Sequence, residues 1–98
     1  MDRGIWGAVM RLRYISDPGH AWLIVSQHQL KQARLGPADF PDAYQTPNGE
    51  ILALEEDCEW PKFTNRLESM GVVIDLDEQY IDDYDHPDNP RTWPRVGD

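Results

Sequence analysis

The sequence lacks the disulfide and metal sites that often stabilise small proteins. It contains a single cysteine, Cys58, so an internal disulfide is excluded. The three histidines are not spaced as zinc ligands. No apolar stretch approaches the roughly 20 residues that cross a bilayer, and residues 1–6 lack the basic start and apolar run of a signal peptide. These absences favour a small domain in a reducing, cytosolic setting.

Basic residues are also scarce, and the two halves of the chain differ in charge. The formal net charge is −9. Residues 1–49 hold five Lys/Arg and four Asp/Glu, whereas residues 50–98 hold four Lys/Arg and fourteen Asp/Glu. An acidic surface repels nucleic acids and anionic membranes, because both carry fixed negative charge. We therefore expect no direct nucleic-acid or membrane binding, and we expect the partner to be a basic protein or nucleoprotein complex.

Hydrophobic periodicity predicts one small α+β domain over residues 1–81. The 40% of residues that are hydrophobic suffice for a thin core. The order of the predicted elements implies a small antiparallel or mixed sheet of four to five strands, with two helices packed on one face. The predicted strands are residues 10–15, 22–25, 44–46, 51–54 and 72–77, the last extending toward Tyr80, and the predicted helices are residues 27–35 and 59–70.

Turn and cap residues bound these elements. Residues 16–19 form a turn signal in which Gly19 is expected to adopt a positive φ. Ser26 is expected to cap the first helix, and Gly36 and Gly71 are expected to end the two helices. A stripe at helical spacing predicts the buried face of the second helix: Trp60, Phe63, Leu67 and Met70.

Residues 82–98 are predicted to be an acidic, proline-rich tail that is extended or disordered. Two interpretations of its aromatic residues stay open. Tyr80, Tyr84 and Trp93 would anchor the tail in a groove of the partner, with the acids steering association. Alternatively, Trp93 folds back onto the domain.

Two motifs resemble a known family. Residues 16–23 read Ser-Asp-Pro-Gly-His-Ala-Trp-Leu and residues 54–58 read Leu-Glu-Glu-Asp-Cys, followed by Phe63 and Gly71. This pattern is similar to that of short proteins carried by bacteriophages and other mobile elements, in which Gly is usual where this chain has Ala21. The resemblance covers roughly residues 14–78 and implies no particular activity. By analogy, small acidic proteins of that origin are inhibitors of host defence, such as anti-CRISPR and anti-restriction proteins.

Acidic residues in the second half form the candidate binding site. Alternate residues of a strand share one face, so Asp75 and Asp77 would display two carboxylates on the same side. Such a row resembles the charge pattern of a nucleic-acid backbone and would suit a Lys/Arg-lined groove. The other interpretation is a solvated face and tail that keep the protein soluble. The candidate partner-binding residues are Glu55, Glu56, Asp75, Asp77, Glu78, Asp82, Asp83 and Asp85.

Catalytic and metal sites are not predicted. The sequences beginning at Asp75 and Asp83 lack the glycine and closing glutamate of a calcium loop. Acids flank Cys58 and oppose thiolate formation, which favours a buried structural cysteine. Nothing in the sequence supports a dyad of Cys58 with His20. We therefore expect a protein that is not an enzyme and has no catalytic residues, metal or cofactor.

Two functional hypotheses follow. The first is a non-catalytic, phage-type inhibitor that acts as a DNA mimic and binds the basic nucleic-acid site of a host defence complex, either a CRISPR effector or a restriction enzyme subunit. The second is a phage adaptor or structural protein that docks a partner through an apolar surface or the aromatic tail. A sheet this small with an exposed strand edge is compatible with either a monomer or a homodimer.

Overall fold

The computed structural model describes residues 8–97, so residues 1–7 of the predicted domain and residue 98 of the predicted tail lie outside the described residues. The chain forms a small α+β domain with a mixed five-stranded sheet and two helices, which confirms the predicted fold class. The strands are β1 (Val9–Ser16), β2 (Ala21–Ser26), β3 (Tyr44–Gln45), β4 (Ile51–Glu55) and β5 (Val73–Tyr80). The helices are α1 (Gln27–Gln32) and α2 (Trp60–Ser69).

The sheet has the strand order β3-β4-β2-β1-β5. The first four strands in this order pair antiparallel, while β5 pairs parallel to β1. The chain reaches β5 from β4 by a crossover through α2, which carries it past β2 and β1. As a result, β5 occupies one edge of the sheet and the two-residue β3 occupies the other.

Each face of the sheet has its own hydrophobic cluster. The first cluster lies between the sheet and the helices and includes Leu12, Leu23 and Leu54 from the strands. Phe63 and Leu67 of the predicted stripe are buried in it, while Trp60 and Met70 pack against it half-buried. The second cluster lies on the opposite face: Ile15, Trp22, Ile24, Ala53 and Ile81, with Tyr44, Ile51 and Trp93 packed against them.

Both helices end in a Schellman motif, in which a left-handed residue turns the chain so that backbone N–H groups bond the last carbonyls. Gly71 takes this position after α2, with a φ of 81°, as predicted. After α1 the position is taken by Arg34, with a φ of 59°, and the Leu35 N–H bonds the Leu30 carbonyl at 2.9 Å. The predicted end of α1 at Gly36 is therefore wrong, because the turn closes two residues earlier on a non-glycine residue.

The segment after β5 lies on the domain. Residues 82–97 contain turns and one short 3₁₀ helix, Pro90–Thr92, and they cross the face of the sheet opposite the helices. Asn89 and Pro90 are buried, and Trp93 packs on the second cluster, so the folded-back interpretation of Trp93 describes its position. We call residues 82–97 the strap.

No helix among the described residues combines the length and apolar character that crossing a membrane requires.

Candidate partner-binding surface

The sheet topology brings six of the eight predicted acids to one end of the sheet. Ser16 at the end of β1 lies opposite Ala21 of β2 and Tyr80 of β5, and Trp22 lies opposite Glu55 of β4. The ends of these strands therefore meet, and the acids beside them gather there. We call this set the acidic sheet end; its members are Glu55, Glu56, Glu78, Asp82, Asp83 and Asp85.

Backbone contacts fix this arrangement. The Glu56 N–H donates to the Ala21 carbonyl at 3.1 Å, and the Ile81 N–H donates to the Ser16 carbonyl at 2.8 Å. Glu55 is half-buried, and the other five acids are exposed. The strap then turns back, since the Asn89 side chain donates to the Asp83 carbonyl at 3.4 Å. The Asn89 side chain also donates to Asp17 Oδ2 at 3.2 Å, which holds the strap against the turn between β1 and β2.

Asp75 and Asp77 lie apart from this set, in the middle of β5. The parallel register places them opposite Arg11 and Arg13 of β1, on the face that the helices do not cover. Arg11 Nε lies 3.4 Å from Asp75 Oδ2, and the side chains are 87% and 54% exposed respectively. Arg11 thus offsets the charge of Asp75, although an ion pair this exposed contributes at most about 1 kcal/mol.

Glu78 connects the acidic sheet end to the neighbouring strand. The Ser16 hydroxyl donates to Glu78 Oε2 at 2.6 Å. Burial, followed by the Glu78 carboxylate, raises the pKa of Tyr14, which is Glu78's register partner on β1. Burial and the carboxylate of Asp82 likewise raise the pKa of Tyr80. Tyrosines at this end therefore stay neutral and leave the acids as the source of charge.

Asp17 forms a buried socket beside this end. Its side chain is fully shielded from solvent and accepts hydrogen bonds from the backbone N–H groups of Gly19 and His20, at 2.9 and 2.8 Å. Asn89 Nδ2 donates to it at 3.2 Å, and Arg91 donates from Nε at 2.5 Å and from Nη2 at 3.2 Å. The carboxylate is thus saturated with donors from the turn and from the strap.

Burial alone would raise the pKa of Asp17, but the hydrogen bonds from Arg91, from the Gly19 N–H and from Asn89 outweigh it. The pKa of Asp17 is therefore held well below its usual range. The charge of Asp17 therefore acts within the molecule, where it holds the strap in place.

The aromatic surroundings of Arg91 complete the socket. The guanidinium carbon lies 4.6 Å from the centre of the Tyr84 ring and 5.4 Å from the Trp22 ring, which are cation–π distances. Arg91 Nη2 also lies 2.8 Å from His20 Nδ1, and the His20 ring stacks on Trp22 at 5.7 Å. The Ser-Asp-Pro-Gly-His-Ala-Trp motif of residues 16–22 therefore builds the binding site for an arginine 74 residues further along the chain.

The role of Gly19 at this socket is to let Arg91 approach closely, and it does not depend on a positive φ. The positive-φ glycines among the described residues are Gly49 and Gly71, so the predicted positive φ of Gly19 is wrong. A Cβ atom at this position would lie 3.0 Å from Arg91 Nη2, tighter than an ordinary van der Waals contact. The turn itself is closed by the Asp17 carboxylate, which makes left-handed backbone unnecessary.

Cys58 and His20 do not form a reactive pair in the geometry of the described residues. Cys58 is exposed, so the predicted buried position is wrong. It lies in the turn before α2, where the inward positions are taken by Glu59 and Phe63. Partial desolvation of the thiol and the neighbouring Glu59 and Glu55 charges raise the pKa of Cys58, which opposes a nucleophilic thiolate. His20 is engaged by Arg91.

Glu59 is a buried acid that sequence reasoning did not single out. It is 6% exposed; its Oε2 accepts the Asp42 N–H at 3.1 Å, while its Oε1 has no hydrogen-bond partner among residues 8–97. Burial raises the pKa of Glu59. No group of three or more potential metal ligands occurs in this part of the chain. The contact ties the loop before β3 to the start of α2.

The sequence carried little signal for the socket. The sequence places Asp17 in a predicted turn and Arg91 in a tail predicted to be extended or disordered, and 74 residues separate them. The one available sign is that Arg91 stands between prolines in a segment where the preceding basic residue is Arg66. One of the two arginines in an otherwise acidic segment is a candidate partner for a buried carboxylate.

Comparison with known proteins adds no family assignment. No protein-family model matches the chain, and no curated protein or solved structure is detectably similar to it.

Proposed function

We propose that this protein is a non-catalytic inhibitor whose acidic sheet end binds a basic, nucleic-acid-binding surface of a partner, in the manner of a phage protein acting on a CRISPR effector or restriction enzyme. The observation that carries the proposal is that six acids, from the end of β4, from β5 and from the strap, lie at one end of the sheet, with Glu55 and Glu78 on opposite faces. The cation that the strap brings to this end, Arg91, is committed to Asp17.

The charge distribution of the rest of the molecule supports this orientation. Cations of the helical layer make contacts within the fold: Lys62 donates to the Asp39 carbonyl at 2.8 Å, and Arg66 donates to the Ala33 carbonyl at 3.0 Å. Both cations of α2 are thereby engaged by backbone carbonyls. A partner with a Lys/Arg-lined groove would be steered toward this end and away from the helical layer.

Charge alone would not give a stable complex. Exposed ion pairs contribute about 0.2–1 kcal/mol each, so six pairs fall short of the roughly 8 kcal/mol of a micromolar complex. Exposed aromatic rings among the acids supply the missing contact area. Tyr80 and Tyr84 are 58% and 49% exposed, and each lies in the sequence between acids of the acidic sheet end. Tyrosine is enriched among residues that dominate binding energy.

Asp75 and Asp77 lie outside the acidic sheet end, and Arg11 and Arg13 stand opposite them in register. The adaptor hypothesis has weaker support, since the aromatic residue on which it depends is engaged within the fold. Trp93 Nε1 donates to the Pro87 carbonyl at 2.9 Å, and its ring packs on the second hydrophobic cluster.

Charge reversal tests the proposal. The variant Glu56→Lys/Asp82→Lys/Asp85→Lys changes three exposed acids of the sheet end. The control variant, Asp42→Lys/Glu50→Lys/Glu68→Lys, changes three exposed acids elsewhere by the same net charge. Each protein would be expressed in a panel of isogenic bacterial strains that carry one CRISPR or restriction system each, and phage plating efficiency would be counted.

We expect the parent and the control variant to raise plating on the strain whose system is targeted, and the sheet-end variant to lose this effect. The physical reason is that lysines would repel the basic groove that the acids attract. A sheet-end variant that is folded and protects phage as well as the parent would contradict the proposal.

A further inference from the structure

The outer edge of β5 is an open template for another strand. The Val73 N–H bonds the Ala8 carbonyl and the Ile81 N–H bonds the Ser16 carbonyl, each at 2.8 Å. Backbone groups alternate in direction along a strand, so the odd-numbered residues of β5 face β1. The N–H and C=O groups of Ile74, Leu76, Glu78 and Tyr80 therefore point away from the sheet. No strand of residues 8–97 pairs with them.

This edge has only one of the usual protective devices, the charged side chains of Asp75, Asp77 and Glu78. Natural edge strands are kept short or carry charges, above all lysine, or a proline or a bulge. β5 is eight residues long, contains no proline, glycine or lysine, and keeps an unbroken register with β1 from Val73 to Tyr80. Its exposed apolar side chains include Val73 and Leu76, at 57% and 44%. The edge is thus suited to pairing.

A second copy of the chain is a poor occupant. Antiparallel pairing of β5 with itself about Asp75, Leu76, Asp77 or Glu78 sets acids directly opposite acids in each register. Like charges directly opposite one another destabilise a strand pair. The strand contains no cation that would compensate. The occupant must therefore bring positive charge.

The inner neighbour of β5 shows the pattern that these acids accept. In β1, Arg11 and Arg13 alternate with apolar residues and stand in register with Asp75 and Asp77. Asp75 still keeps 54% of its side chain exposed beside Arg11. A strand on the outer side would lie about 4.8 Å from β5, which brings a second set of alternate cations within reach of the same carboxylates.

We propose that the outer edge of β5 binds an extended segment of a basic partner in which Lys or Arg alternates with apolar residues, adding a sixth strand to the sheet. The cations of that segment lie over Asp75 and Asp77, and its apolar residues lie on the other face, beside Ile74 and Leu76. Main-chain bonds provide affinity and the side-chain alternation provides selectivity. This inference deepens the proposed function, because it states which part of the basic partner this chain grips.

The test uses a synthetic peptide, Thr-Val-Arg-Val-Arg-Val-Thr, and an isomer of equal composition in which the two arginines are adjacent. Affinity for the full-length protein would be measured by fluorescence anisotropy, and amide hydrogen exchange by NMR. We expect the alternating peptide to bind about tenfold more tightly, the size of two exposed ion pairs. Its binding should slow exchange at the amides of residues 74, 76, 78 and 80.

Two variants separate the edge from general attraction to acids. Asp75→Asn/Asp77→Asn should weaken the alternating peptide about tenfold and remove its advantage over the isomer. Leu76→Pro removes an outward N–H without breaking a bond to β1, a position where edge strands tolerate proline, and it should abolish peptide binding. Glu50→Gln/Glu68→Gln, which neutralises two exposed acids outside β5 and outside the acidic sheet end, is the matched control and should leave peptide affinity unchanged.

Equal affinity for the two peptides, or binding that protects none of the four amides, would overturn the inference. The plating assay keeps the two proposals distinct. If the peptide fails to bind while the sheet-end variant still loses phage protection, the edge inference falls and the proposed function stands. If the peptide binds at the edge while the sheet-end variant protects phage fully, the edge stands and the sheet-end proposal falls.

Discussion

The two edge strands of this sheet differ in length and in whether another segment covers them. The β3 edge is two residues long and is covered by the strap: the Gln45 N–H bonds the Pro94 carbonyl at 2.8 Å, and Tyr44 forms a bridge with Arg95. The strap continues along it, with the Val96 N–H on the Ala43 carbonyl at 2.8 Å. The β5 edge is eight residues long and has no paired strand among residues 8–97.

The route of the strap explains the difference. The chain leaves β5 at Ile81, next to the open edge, and crosses the face of the sheet to reach the far edge. Midway, Arg91 enters the Asp17 socket. The sixteen residues of the strap therefore protect the edge farther from their origin and leave the nearer one free. The ion pair between Asp17 and Arg91 holds the strap on this route.

Arg91→Ala should break this asymmetry most strongly. It removes the two donors from a buried carboxylate, and losing one partner of a buried pair costs about 3–5 kcal/mol. Because Arg91 itself is 32% exposed, we expect a loss of about 2 kcal/mol of unfolding free energy in urea. Amide protection should fall at Gln45 and Val96 and stay unchanged within β5.

Arg95→Ala is the matched control, since Arg95 is exposed and contacts the Tyr44 ring at 4.7 Å. An exposed cation–π contact of this kind accounts for less than about 1 kcal/mol. If both arginine variants lose the same stability, the socket does not hold the strap.

Acid should loosen the same edge by a different route. A carboxyl whose pKa is lowered in the folded state contributes stability that is present above its ordinary pKa of about 4 and is lost as pH falls through the folded value. For Asp17 we expect a loss of about 1.4 kcal/mol per pH unit below about pH 4.

Urea unfolding of the parent and of Asp17→Asn between pH 2 and pH 7 measures this contribution. The stability difference between the two proteins should be largest near neutral pH and should narrow as pH falls below about 4. A difference that stays constant over this range would mean that Asp17 is not charged in the folded protein.

Gly19→Ala should have the smallest effect on stability, and it tests the close approach of Arg91 to the turn. The added methyl would lie 3.0 Å from Arg91 Nη2, so the guanidinium must shift. We expect a cost of about 1 kcal/mol, in the range of ordinary overpacking. Gly36→Ala, where nothing lies within 4 Å of the added carbon, should be neutral or slightly stabilising. Equal effects of the two substitutions, measured by thermal unfolding, would contradict the close approach.

Local patterns determined most of the fold. Alternation in residues 10–15 predicted β1, Ser26 caps α1 as predicted, and the stripe through Phe63 and Leu67 is the buried face of α2. Gly71 ends α2 for the reason foreseen, since glycine reaches the left-handed region without steric cost. These features depend on a few neighbouring residues, and that is why single-sequence reasoning finds them.

Non-local pairing determined the rest. The parallel register that sets Arg11 against Asp75 follows from the crossover through α2, which periodicity does not encode. The same crossover divided the predicted acids into an end cluster and a paired row. The Asp17–Arg91 contact likewise joins residues that no local pattern relates. The α1 end at Arg34 shows that even a local signal such as Gly36 gives way when the chain can turn earlier.

An inhibitor of the proposed kind must place its acidic sheet end where a nucleic acid would otherwise bind on the basic surface. Displacement measures this most directly. The immobilised protein would capture the defence complex from the strain whose phage plating it raises, and increasing amounts of that complex's own nucleic-acid substrate would be added. We predict that the substrate releases the complex in proportion to its concentration. A stable assembly that holds both the protein and the substrate would contradict the claim.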